Sequence, residues 1–133
     1  MPLYMLDTNI CIYISRQKPE AVLKRFDTLS PGDAVISIIT YGELCFGAEK
    51  STARDRAYAA LTNFVSVVPV ASMSPDVGEV YGRIRADLTH RGELISANDL
   101  WIAAHSLQLG VTLVTNNERE FTRVTGLKVE NWV

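Results

Sequence analysis

Four places in this chain set acidic side chains just after a strand or in the opening turns of a helix. They are Asp7, Glu43, Asp99 and the stretch from Asn117 to Glu120. Every donor they offer is a hard oxygen, which suits Mg²⁺ or Mn²⁺ rather than zinc. A carboxylate cluster that leaves waters on such an ion can activate one of them for in-line attack on a phosphodiester. The two histidines, His90 and His105, are too few and too separated for a zinc site, and Cys11 and Cys45 lack CxxC spacing. Both cysteines sit in apolar surroundings and read as buried small hydrophobes.

Each acid also has a plainer reading as a helix cap. Thr40-Tyr41-Gly42-Glu43 and Ser96-Ala97-Asn98-Asp99 have the spacing of a capping box, and Asn117-Glu118-Arg119-Glu120 has it loosely. Asp7 has the residue type of an N-cap. Burial separates the two readings. Asp7 ends the apolar run Tyr4-Met5-Leu6, and Asp99 shares a helix face with Ile102, Ala103 and Ser106. Glu43 shares its face with Ile39, Phe46 and Gly47. Three carboxylates on core-facing surfaces repel one another and lose hydration, so they stay ionised at low cost only around a cation.

The elements that must position these acids alternate between strand and helix. Strands are expected over residues 3–6, 34–37, 65–70, 111–115 and 127–130, the last at an edge. Pro69 removes a ladder donor and favours an edge or a strand end. Helices are expected over residues 10–15, 21–26, 41–48, 52–64, 74–90, 97–109 and 118–123. Pro19 fits the first turn of the second helix, and Gly110 is placed to cap the long helix before it. Short apolar strands alternating with helices indicate α/β architecture: three layers, with a central parallel sheet of four to five strands. Ligands of such sheets bind outside the carboxyl ends of the strands, where these acids lie.

Composition sets limits. The 133 residues fit one domain, 1–133, and the 47% hydrophobic and 21% charged fractions carry no signature of disorder. The first residues show no secretory signal, and no apolar run approaches the roughly 20 residues needed to span a bilayer. A cytoplasmic location is expected. The net charge of −2 excludes attachment to a polynucleotide through bulk charge, so a nucleic-acid ligand would need a local basic rim or bound cations. Arg16, Lys18, Arg83, Arg85, Arg91 and Arg119 are candidates for that rim, and solvated helix faces are the alternative.

Met5-Leu6-Asp7-Thr8-Asn9-Ile10, Ile38-Ile39-Thr40-Tyr41-Gly42-Glu43-Leu44, Ala97-Asn98-Asp99-Leu100-Trp101-Ile102-Ala103-Ala104-His105 and Leu113-Val114-Thr115-Asn116-Asn117 with Glu120-Phe121 occur in this order. Together they resemble the VapC toxins of the PIN-domain ribonuclease family over essentially the whole chain. The resemblance implies a PIN-like fold and a Mg²⁺- or Mn²⁺-dependent endoribonuclease, the toxin of a toxin–antitoxin pair. It implies structured RNA as substrate, with initiator tRNA cut in the anticodon region in enteric-type relatives. It also implies a homodimer, a VapB antitoxin covering the site, and promoter DNA bound only through that antitoxin. Carried over by position, Asp7, Asp99 and Glu43 match the family's metal-binding acids. Many members have TND where this chain has Thr115-Asn116-Asn117, so the neutral Asn117 departs from the pattern and Glu120 stands in as the fourth acid. Thr8 and Thr115 are expected to orient carboxylates or water, with turn or capping roles as the alternative.

Two other readings remain open. A haloacid-dehalogenase-type phosphatase also has an aspartate after its first strand, but it wants DxD, and Asp7-Thr8-Asn9 lacks the second acid. A catalytically weak PIN scaffold that binds RNA or a partner without cutting is favoured only by Asn117.

Overall fold

The alternation of short apolar runs with amphipathic segments folds into one parallel sheet with helices on both sides. The computed structural model describes residues 1–133. Its elements are β1 (Tyr4–Leu6), α1 (Thr8–Arg16), α2 (Glu20–Asp27), β2 (Ala34–Ser37), α3 (Ile38–Glu49) and α4 (Arg54–Val67). They continue with β3 (Val70–Ala71), α5 (Pro75–His90), α6 (Ala97–Leu109), β4 (Thr112–Val114), α7 (Glu118–Phe121) and β5 (Val129–Glu130).

The strands lie in the order β3-β2-β1-β4-β5, all parallel. Tyr4 pairs with Ala34 on one side and Thr112 on the other, which fixes β1 in the middle. Because side chains alternate along a strand, Met5 and Leu6 enter different cores. Met5 joins Leu100, Ile102, Leu113 and Phe121 on the α5–α6 side. Leu6 joins Ile10, Val22, Ile36 and Val114 on the α1–α4 side. The result is the expected three-layer α/β/α arrangement.

The chain winds outward from β1 to β2 and β3, then returns to the other side of β1 to lay down β4 and β5. The reversal between β1 and β4 opens a crevice at their carboxyl ends, the general ligand position in sheets of this type. Asp7 leaves β1 and Thr115 leaves β4 at that crevice.

Three expectations are corrected. The β-branched run Val65 to Val70 is not one strand: α4 continues to Val67, and β3 is Val70–Ala71 only. The Val68 N–H still donates to Phe64 O at 2.9 Å, the bond that closes the last turn of the helix inside that run. β3 is an edge strand, and Pro69 lies just outside it while its carbonyl accepts from Ile36 N at 3.0 Å. Pro19 occupies the N-cap of α2 rather than its first turn. Cys11 is buried, but Cys45 is only half-buried. Gly110 caps α6 in the left-handed conformation, φ 71°, where a side chain would be strained.

Candidate active site

Asp7 is the anchor. Its backbone N–H extends the ladder to Val114 O (2.9 Å), and its side chain then turns to cap α1, with Oδ1 accepting from Thr8 N (2.8 Å). Oδ2 accepts from the fully buried Thr115 hydroxyl (2.8 Å), which projects from the end of β4. The expected cap is thus formed by Oδ1, while Oδ2 is held at the crevice by Thr115. Only 6% of Asp7 is exposed. Burial pushes its carboxyl above the usual range; the Thr115 and Thr8 bonds oppose this, and the Glu43 charge adds to it.

Glu43 does not serve as a cap. The N-cap of α3 is Ser37, whose hydroxyl accepts from Ile39 N at 3.2 Å, so Glu43 falls in the second turn. Its Oε1 instead accepts from the Thr8 hydroxyl at 2.7 Å. The buried Thr40 hydroxyl lies 3.3 Å from that of Thr8 and completes a threonine pair behind the carboxylate. The expectation of a core-facing surface for Glu43 is corrected as well. Phe46 on that face is 65% exposed, and Glu43 is half-buried at the crevice mouth.

Asp99 sits in the first turn of α6, where the Ser96 hydroxyl accepts from its backbone N–H at 3.3 Å. Ile102, Ala103 and Ser106 on its face are fully buried, as their spacing requires, while Asp99 itself is half-buried at the helix start. Its carboxyl is raised to about 6, first by desolvation and then by the charges of Asp7, Glu120 and Glu43, against the Ser96 bond. All four acids therefore share one electrostatic neighbourhood.

Asn117 has a definite place. Its backbone N–H donates to Thr115 Oγ1 (3.0 Å), and its side-chain Nδ2 donates to Glu120 Oε2 (3.2 Å). A neutral amide can hold Glu120 toward the crevice where an aspartate would repel it. The Asp7–Thr115–Asn117–Glu120 and Thr8–Glu43 bonds link every residue expected at the site except Asp99, which joins through charge.

A divalent cation fits the donor chemistry: oxygen ligands only, carboxyls destabilised by one another, and a crevice open to water. No group of three or more His, Cys, Asp or Glu side chains stands ready to hold a metal ion, so the expected Asp7–Glu43–Asp99 cage is not formed by the side chains as they lie. Both oxygens of Asp7 are engaged by Thr8 and Thr115, and Glu43 leans on Thr8. Mg²⁺ takes one or two carboxylates directly and keeps several waters, so it does not require three.

Sequence reasoning missed Ser37 and treated Thr40 as a cap. Both are fully buried, and Ser37 Oγ also lies 2.9 Å from Nδ1 of the buried His105. The available signal was the pair of hydroxyl residues Ser37 and Thr40, three apart, at a strand–helix junction.

Comparison with known proteins agrees with this geometry. Residues 4–127 match the PIN domain family. The chain is 44% identical to "Ribonuclease VapC2" of Haemophilus influenzae over 130 residues, 98% of both chains. It is 43% identical to the "tRNA(fMet)-specific endonuclease VapC" of Shigella flexneri over 129 residues, 97% of both. Among solved structures, DNA-bound VapBC from Salmonella typhimurium superposes with a TM-score of 0.93 at 39% identity, covering 100% of both chains. VapBC2 from Rickettsia felis, bound to a fragment of its promoter, gives 0.91 at 36% identity over 98% of this chain and 99% of that one. An aspartate closing the central strand, acids converging on the β1–β4 crevice, and these full-length likenesses together make the chain a member of the PIN-domain family, within its VapC ribonucleases.

Proposed function

We propose that this protein is a Mg²⁺- or Mn²⁺-dependent endoribonuclease, the toxin of a toxin–antitoxin pair, which cuts initiator tRNA in its anticodon region and so stops translation in the cytoplasm. The observation that carries the reading is the hydrogen-bonded set that ties Asp7, Glu43 and Glu120 together through Thr8, Thr115 and Asn117 at the carboxyl ends of β1 and β4, with the Asp99 carboxyl raised by burial and by the charges of these acids. Full-length identity to an endonuclease specific for tRNA(fMet) supports the choice of substrate.

Asp7, Asp99 and Glu43 are assigned as the metal ligands and Glu120 as the fourth acid of the catalytic set. When bound, the ion supplies positive charge to the reacting phosphate and acidifies a water. Thr115 and Thr8 fix Asp7 and Glu43 in orientation, and Asn117 does the same for Glu120. Four acids without a counter-ion repel a phosphate, so RNA and cation bind cooperatively. That is how a chain of net charge −2 handles a polyanion.

The assigned partner is a VapB-type antitoxin, with promoter DNA contacted through it, as VapBC complexes bound to DNA suggest. An apolar groove of about 430 Å³ between α1, α3 and α4, lined by Ile12, Leu44, Leu61 and Phe64 among others, offers it a seat. Exposed Ile38 and Phe46, beside Glu43, suit a second copy of the chain.

A catalytically weak RNA-binding scaffold is the second reading, favoured by Asn117 and by the absence of a preformed three-acid cage. Sequencing RNA ends after brief induction, beside an Asp99→Asn control, decides between them. The nuclease gives one dominant new end within a tRNA anticodon arm, absent from the control. A scaffold gives identical end profiles in both.

A further inference from the structure

Net charge hides how the cations are distributed. Lys24, Arg25, Arg54 and Arg91 are each held by a carboxylate, and Arg123 donates to the carbonyls of Glu93 and Leu94. Arg85 donates to the Tyr81 hydroxyl and lies over its ring. Arg56, Arg83, Arg119 and Lys128 also lack such a partner but are scattered over separate elements, whereas Arg16 and Lys18 stand together, exposed, at the far end of α1.

Arg16 is not needed to cap its helix. Gln17, left-handed at φ 58°, gives its N–H to the carbonyls of Ile14 and Tyr13, and Lys18 N donates to Tyr13 O at 3.1 Å. With the Tyr13 and Ile14 carbonyls taken by backbone donors, neither side chain is drawn into a hydrogen bond at the helix end. They line a surface cavity of about 240 Å³ with Tyr13 and Pro19.

This cavity is tied to the acidic crevice. Asn116, between Thr115 and Asn117, donates from Nδ2 to the Tyr13 hydroxyl at 2.9 Å, and Asn9 Nδ2 approaches Asn116 Oδ1 at 3.4 Å. Because the Tyr13 oxygen accepts this bond, its own proton is free to donate outward. Asn9, Tyr13 and Arg16 follow one another at i, i+4 and i+7 along one face of α1, whose first turn is capped by Asp7. At 1.5 Å per residue, Arg16 lies about 13 Å along the axis from Asp7. An extended polar track therefore runs from the crevice to a pair of uncommitted cations.

We propose that Arg16 and Lys18, with the Tyr13 hydroxyl and the Asn116 amide, form an RNA-backbone subsite that grips phosphates flanking the bond held in the acidic crevice. The proposal rests on the nuclease reading and deepens it by naming the side over which the strand leaves. Arg16 also borders the apolar groove between α1, α3 and α4, but the cations, the Tyr13 hydroxyl and the Asn116 amide on this track are donors that suit phosphate and ribose rather than base edges.

The test is steady-state cleavage of initiator tRNA in Mg²⁺, with RNA affinity measured across a salt series. Changing Arg16→Ala and Lys18→Ala together should raise KM about tenfold while kcat holds. It should also flatten the salt slope by about 1.4, that is 0.7 for each of two single-strand phosphates. The charge-preserving pair Arg16→Lys with Lys18→Arg should keep KM near wild type. Lys128→Ala, which removes an unpaired cation preceding β5 and so at the opposite end of the strands, should leave KM unchanged.

An unaltered KM and salt slope in the alanine pair would overturn the subsite. An equal rise in KM for Lys128→Ala would also overturn it, by showing bulk charge at work. So would loss of antitoxin affinity with RNA parameters intact, because the cations would then serve the partner. If the wild type cuts no RNA, the nuclease reading itself falls; cleavage with the alanine pair indistinguishable removes the subsite alone.

Discussion

Asp99 loses its proton only near pH 6 because α6 presents it, half-dehydrated, to three other acids. A carboxyl raised in this way ionises first in the unfolded chain. The metal-free fold is therefore penalised as pH climbs from about 4 to 6, and the penalty is complete above that. The full shift would correspond to about 3 kcal/mol at 1.36 kcal/mol per unit, and partial solvent exposure reduces it to about 1 kcal/mol. Asp99→Asn should thus abolish cleavage while stabilising the metal-free protein by about 1 kcal/mol at pH 7, with no gain at pH 4. Urea titrations in EDTA at the two pH values measure this.

Thr115→Val removes the buried donor to Asp7 without changing shape much. It should raise the Asp7 carboxyl further and move the acid limb of the pH–rate profile upward. At this scale the sequence showed Asp7 and Asp99 well, since an acid beside an apolar strand or on an apolar helix face is conspicuous. It showed Glu43 less well. Ser37 and Thr40 both have the residue type of an N-cap, and only the three-dimensional junction shows that Ser37 takes the role and leaves Thr40 to back Thr8.

Each acid owes its position to an element boundary. α3 starts directly from β2 at Ser37, and that hydroxyl both caps the helix and meets His105 of α6. It thereby joins the helices carrying Glu43 and Asp99. Ser37→Ala should cost about 1–2 kcal/mol in a urea titration, from the lost cap and the stranded His105 nitrogen. It should also lower kcat by displacing Glu43.

At the other end of the sheet order, Trp132 is buried, packs edge-on against Tyr4 at 5.3 Å, and donates to Glu130, which also receives Arg25. Trp132→Ala should cost about 3–5 kcal/mol, read from the same titration. Helices 74–90 and 97–109 were legible almost to the residue, because their apolar period is long and α6 has a glycine stop. The end of α4 was not. Val65, Val67 and Val68 favour strand on intrinsic preference, but the helical bond from Val68 N to Phe64 O carries α4 through Val67.

For the molecule as a whole, the sheet order β3-β2-β1-β4-β5 explains how acids far apart in the chain come to one crevice. The strand on each side of the β1–β4 reversal delivers its following residues there. Alternation of strands and helices announced the layers and the parallel sheet. Nothing in the linear pattern told how far the carboxylates would approach one another, because that depends on side-chain bonds such as Thr8 to Glu43. Charge, too, acts at this scale: net −2 forbids diffuse attraction for RNA, so in the proposed mechanism a divalent cation would have to link substrate and site.

These acids are proposed to cut RNA through a divalent ion. Purified protein freed of antitoxin and stripped with EDTA should leave initiator tRNA whole. Titration of Mg²⁺ or Mn²⁺ should restore a single cut for the wild type and none for Asp99→Asn. Cleavage that persists in EDTA, or an Asp99→Asn variant cutting at the wild-type rate, would rule out metal-dependent cleavage by these acids.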